Sequence, residues 1–235
     1  MEGSRWMRNA EPRRWLRSVG AVFRKDLHSE LRTRYAVSAL VMFVVTTIAI
    51  IMFSLGQENA PPEVLSGMLW VVIFFGAMSG LSRTFVMEEE RGTSMTLQLL
   101  APPSAIYFGK LLFNLVLVTA LNVFTVLLYL FLVNGFVVKS PLALILTVFL
   151  GGCGFASAAT IIAAIIARAN TKGTLYPVLS FPILLPLLVA VVDATKSAAE
   201  GVPLDQLGGV FQFLISYIVV LTTLSYLLFE YIWKD

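Results

Sequence analysis

The 235 residues are 58% hydrophobic, with a mean hydropathy of +0.85. A soluble domain of this length cannot hide that much apolar surface, so the chain reads as an all-α polytopic membrane protein. The net charge of +3 reports topology rather than an affinity for nucleic acid. The lone cysteine, Cys153, excludes an intrachain disulfide.

Residues 1–14 are charged and irregular and read as a flexible N-terminus, followed by one six-span domain over 15–235. Trp15, Leu16, Val19, Val22, Phe23, Leu27 and Leu31 fall at helical spacing, with Arg17, Arg24, Lys25, His28 and Arg32 between them. The spacing predicts an amphipathic helix over 15–34, lying in the cytoplasmic interface. It serves either as a simple anchor or as an elbow that orients the first span and touches a cytoplasmic partner. No compact apolar run marks a cleavable signal.

A spanning helix needs ~20 apolar residues, and six stretches qualify: about 36–55, 65–81, 106–133, 142–167, 175–192 and 210–232. None alternates like the strands of an outer-membrane barrel. Nine Lys and Arg precede the first stretch; Arg83, Arg91, Lys110, Arg168, Lys172 and Lys234 fall on the same side, and only Lys139 and Lys196 fall opposite. Positive residues gather in the cytoplasm, so both termini are expected there. The outer segments, 56–64, 134–141 and 193–209, are too short for an outer domain.

The fourth stretch carries Gly151, Gly152, Gly154, Ala156, Ser157, Ala158 and Ala159; small residues let helices approach closely, within the chain by default. The fifth carries Pro177, Pro182 and Pro186. Each proline removes a backbone donor and bends the helix, so this span either gates a path or is bent to fit. Charge is nearly absent from the stretches, with Asp193 and Glu230 at span ends. Proton-coupled carriers and intramembrane hydrolases need intramembrane ionisable groups, which argues against both. There is no GxxxxGK[ST] loop for ATP and no HExxH, and His28 is the only histidine. The chain is not expected to be an enzyme, to hold a metal or to bind a cofactor directly.

Between the second and third stretches lies a polar, punctuated segment, 88–110. Glu88, Glu89, Glu90 and Arg91 end a cytoplasmic extension of the second span, and the three acids would present negative charge to a partner. Gly92 suits the left-handed residue that terminates a helix, and Thr93 suits the N-cap of the next. A short helix over about 94–100 follows, with Leu97, Leu99 and Leu100 offering a docking surface. Ala101-Pro102-Pro103 stops it, and Ser104 can cap the third span.

Glu88 with Gly92-Thr93 resembles the acidic-Gly-Thr coupling region of type 2 ABC exporter permeases, although Met95 stands where that family often has an acid. The run Pro103-Ser104-Ala105-Ile106-Tyr107-Phe108-Gly109-Lys110-Leu111-Leu112 is similar to the P-x-S-A-I-x-x-G-K-x-L run of the CcmB family. Leu175-Tyr176-Pro177-Val178-Leu179, Pro182, Pro186 and Asp193-Ala194-Thr195 resemble that family's fifth span and its exit. The resemblance implies a permease subunit of the haem-handling ABC complex of cytochrome c maturation, in a bacterial inner membrane. Implied partners are a second permease copy, a CcmA-like ATPase that binds ATP, a CcmC-like haem-handling protein, a small CcmD-like subunit and a CcmE-like periplasmic haem chaperone. Haem is then a substrate of the complex, and ATP hydrolysis drives release of the loaded chaperone. The ATPase-coupling residues are Glu88, Glu89, Glu90, Arg91, Gly92, Thr93, Leu97 and Leu100; Pro177, Pro182 and Pro186 form a possible gate or path. The alternatives are a type 2 ABC exporter for a lipid or drug, and a non-transporting scaffold of the haem machinery.

Overall fold

The computed structural model describes residues 3–33, 35–56, 60–81, 85, 88, 92–167 and 172–234. They form α1 (Gly3–Thr33), α2 (Tyr35–Leu55), α3 (Pro62–Leu81), α4 (Ser94–Leu100), α5 (Pro103–Leu132), α6 (Pro141–Ala167), α7 (Lys172–Glu200) and α8 (Gly208–Lys234). No strand occurs among the described residues. Six of the helices, all but α1 and α4, are long and apolar enough to cross a membrane. The chain is a multi-pass membrane protein.

α6 is the hub, packed against α3, α5, α7 and α8. Its small residues give it that position. A Cβ on Gly151 would fall 2.5 Å from the Trp70 ring of α3, and one on Gly154 would fall 2.7 Å from Leu187 of α7. Between helices in hydrocarbon, such close fits and interhelical hydrogen bonds replace the hydrophobic driving force. Trp70 also stacks on Phe155, with ring centroids 6.1 Å apart, and donates its indole N–H to the Thr195 hydroxyl at 2.8 Å. The stripe on α6 therefore serves packing within the chain. α2 touches α1, α3 and α5 at one edge of the bundle and leaves Met42, Ile50 and Phe53 exposed.

Two elements differ from the boundaries the sequence suggests. α1 already starts at Gly3 rather than Trp15, and it rests on protein. Trp15, Val22 and Asp26 meet Ser104, Gly109 and Lys110 of α5 in the same chain order, so α1 runs alongside the first turns of α5. Second, α7 continues to Glu200, where the polar letters after Val192 suggest a loop. Ala194, Thr195, Ala198 and Ala199 in that extension are buried against neighbouring helices, and tertiary contact carries the helix past the end of its apolar run. The Ser140 N–H donates to the Ala198 carbonyl at 2.9 Å and ties the loop before α6 to this extension.

α7 tolerates its prolines with help from α8. Pro186 brings no N–H and crowds the carbonyls one turn before it. The Tyr217 hydroxyl donates to one of these, the Ile183 carbonyl, at 2.7 Å. Neighbouring side chains commonly re-satisfy such groups in spanning helices.

Candidate functional site

The segment between α3 and α4 is built by the residues of its own motif. Gly92 has φ +64°, the left-handed conformation that a residue without Cβ adopts freely. The Thr93 N–H donates to the Glu88 carbonyl at 3.0 Å, the six-to-one bond that closes a helix past a left-handed glycine. The Thr93 hydroxyl then donates to the Glu88 carboxylate at 2.6 Å. Glu, Gly and Thr at this spacing thus make one closed turn.

That turn changes two sequence expectations. Thr93 occupies the N-cap position of α4, and its carbonyl accepts the Leu97 N–H at 3.0 Å. Its hydroxyl does not cap the helix, because φ −93° and ψ −5° lie outside the extended region in which an N-cap side chain reaches the following N–H groups. Glu88, for its part, does not offer its charge to a partner. It is 8% exposed and faces into the protein.

Glu88 meets two ammonium groups there. Lys25 of α1 pairs with it directly. Lys110 of α5, with a fully buried side chain, lies 3.3 Å from Glu88 and 3.1 Å from Asp26, and Lys25 lies 3.3 Å from Asp26. Among the described residues, two lysines and two carboxylates therefore form a charge-balanced cluster that joins α1, the turn after α3 and the start of α5. The Lys110 ammonium also lies 5.0 Å above the Phe85 ring, a favourable cation–π distance. Burial disfavours the charged form of Glu88. The Lys110 charge and the hydrogen bonds from Lys25 and Thr93 outweigh it and pull the carboxyl from 4.5 down to about 2. Burial likewise opposes the charge on Lys25, and Asp26 with Glu88 more than offsets it, so the Lys25 pKa stands above its usual 10.5.

Lys110 corrects the expectation of nearly charge-free spans. It lies inside α5 and is tolerated because two acids neutralise it. Sequence reasoning missed Asp26 and Lys25. The signal was there: Trp15, Val19, Val22 and Asp26 recur at helical spacing on α1, and an acid on an otherwise apolar stripe needs a cation opposite. Gly109 belongs to the same contact, since a Cβ there would fall 2.7 Å from Val22 Cβ and 3.0 Å from the Val19 carbonyl. Ser104 does not cap α5, which begins after Pro102; it accepts the Trp15 indole N–H at 3.0 Å.

α4 spans Ser94–Leu100, matching the helix read from the sequence. Leu97 is buried and anchors it. The Gln98 amide donates to the Trp233 carbonyl at 2.6 Å, and Trp233 packs with Phe229 and Phe85 in an aromatic bed. Held on both sides, α4 turns Met95, Leu99 and Leu100 outward at 71%, 83% and 76% exposure. Leu97 therefore leaves the docking set, Leu99 and Leu100 stay in it, and Met95 joins them. Glu89, Glu90 and Arg91 lie outside the described residues, as does the side chain of Pro177. Pro182 and Pro186 share a face as their spacing predicts, but that face is exposed and lines no path inside this chain.

The family model described as CcmB protein matches residues 17–229. No curated protein matches the chain.

Proposed function

The chain belongs to the CcmB family of haem-exporter permeases in cytochrome c maturation, and on that premise we propose that it couples ATP hydrolysis in a separate subunit to work on the far side of the membrane. The observation that carries this is α4: a seven-residue helix clamped on its inner side by Leu97, Gln98 and Thr93, with Met95, Leu99 and Leu100 bare on its outer side. A force-receiving element needs both properties, an apolar patch for the partner to grip and a stiff mount behind it. The mount is the Glu88 cluster, which fixes α4 to the foot of α5 and to α1.

On this reading the end that carries α1 and α4 is cytoplasmic and the membrane is the bacterial inner membrane. A CcmA-like ATPase docks on α4, and closure of its nucleotide sites pushes through Glu88 on α1 and α5. The permease acts as a pair with CcmC-like and CcmD-like subunits, and the cycle ends in release of a haem-loaded CcmE-like chaperone. Haem is substrate of the complex and is not ligated by this chain.

Deleting residues 92–100, or introducing Leu99→Asp with Leu100→Asp, is expected to abolish co-purification of the ATPase while the permease still inserts in the membrane. Normal recovery of the ATPase with either variant would make the coupling assignment wrong.

A further inference from the structure

At the end of the bundle opposite α4, α3 and α7 leave a groove of about 540 Å³ between them, a volume typical of small-ligand clefts. Its walls are aromatic and aliphatic. Phe75 and Phe181 are about half exposed, as are Val71 and Val189, and Phe181 meets Phe74 edge to face with ring centroids 6.5 Å apart. The floor is the Trp70 ring, fixed by its stack on Phe155 and its bond to Thr195. The mouth is charged. Lys196 of α7 reaches Glu63 of α3 at 3.5 Å, and Asp193 lines the groove on the same side.

Asp193 is the informative residue. α7 ends at Glu200, so Asp193 lies about 10 Å inside that end at the helical rise per residue. Its side chain is exposed toward the groove, and it makes no ion pair among the described residues. It stands just past the apolar run that ends at Val192, where lipid headgroups lie and an exposed acid is placed to meet a cation. Among the described residues the rim holds two carboxylates, Glu63 and Asp193, and one ammonium, Lys196. A net negative mouth over an apolar, aromatic channel disfavours anionic amphiphiles, a dicarboxylate porphyrin included. It suits a headgroup that brings its own cation beside a phosphate.

We propose that this groove binds one phospholipid whose headgroup carries a primary ammonium, a phosphatidylethanolamine type. One acyl chain lies against Phe75 and Phe181, the ammonium donates to Asp193, and Lys196 meets the phosphate. A primary ammonium has N–H donors for the carboxylate and a quaternary choline has none, so the site discriminates between two zwitterions of equal charge. The site is independent of the coupling role assigned to α4.

The test is native mass spectrometry of the delipidated full-length protein, titrated with dioleoyl phosphatidylethanolamine or dioleoyl phosphatidylcholine. The ethanolamine lipid is expected to bind at about tenfold lower concentration, the ratio that one charge-assisted hydrogen bond supplies. Asp193→Asn is expected to remove that preference and Asp193→Glu to keep it. Equal binding of the two lipids, or a preference unchanged in Asp193→Asn, overturns the proposal. A benzophenone amino acid placed at Phe181 in native membranes is expected to capture a lipid; capture of a second polypeptide instead overturns it as well.

Discussion

Replacing Glu88 with glutamine removes one carboxylate from a cluster in which two lysines balance two acids, and the structure sets the size of the loss. The folded protein holds the Glu88 carboxyl near 2 against a usual 4.5. At ~1.4 kcal/mol per pH unit, that difference is worth on the order of 3 kcal/mol to the folded state. A second route gives a similar figure. In Glu88→Gln, Lys110 keeps Asp26 at 3.1 Å but loses one of the two carboxylates that meet it among the described residues while fully buried, and stranding a buried charge costs roughly 3–5 kcal/mol. With one acid retained, the lower end applies. For a chain of this length, roughly 3 kcal/mol lowers Tm by roughly 6–12 °C, measurable by intrinsic fluorescence during thermal unfolding in detergent. Glu88→Gln combined with Lys110→Met removes the stranded charge and leaves Lys25 facing Asp26 at 3.3 Å. The double variant is therefore expected to recover most of the loss, as neighbours in one network do. A Glu88→Gln protein that melts within about 2 °C of the parent, or a double variant whose losses simply add, would refute the assignment of Glu88 to a buried structural cluster.

The same depressed carboxyl fixes a pH dependence. Because the folded pKa lies below the unfolded one, the Glu88 contribution is complete above pH 4.5 and is lost as the pH falls toward about 2. Melting curves across that window are expected to show a steeper acid loss for the parent than for Glu88→Gln. Gly109→Ala places a Cβ 2.7 Å from Val22 Cβ and 3.0 Å from the Val19 carbonyl. α1 must then move off α5 at a cost of ~1–3 kcal/mol, and limited trypsin digestion is expected to cut at Arg17, Arg24 and Lys25 faster than in the parent.

The segment after α3 shows where sequence reasoning reaches and where it stops. The left-handed Gly92 and the bounds of α4 were legible because both follow from local chemistry: a residue without Cβ ends one helix, and two prolines end the next. The direction of Glu88 was not legible. A run of three acids reads as a solvated, partner-facing patch, yet Glu88 turns inward because Lys25 and Lys110 stand opposite it, 63 and 22 positions away in the chain. Leu97 and Leu99 look alike as letters, and only the seat of α4 on Trp233 and the cluster separates the buried leucine from the bare one. Pro182 and Pro186 suggested a gate from their shared face, but a spacing cannot say whether that face looks into the bundle or out of it.

By itself the sequence determined what length and local patterning control: six spans, their order, the short helix between the second and third, and a family resemblance carried by residues close together in the chain. Hydrocarbon thickness and backbone hydrogen bonding impose these on any chain with such apolar runs. The tertiary structure alone decided which charges meet. It set Lys110 beside Asp26 and Glu88, carried α7 past its apolar run so that Asp193 lies inside a helix rather than in a loop, and left Met95, Leu99 and Leu100 as the exposed apolar residues of α4. Each of these outcomes depends on what a side chain faces across the bundle, and that is settled by packing between segments rather than by the order of residues within one.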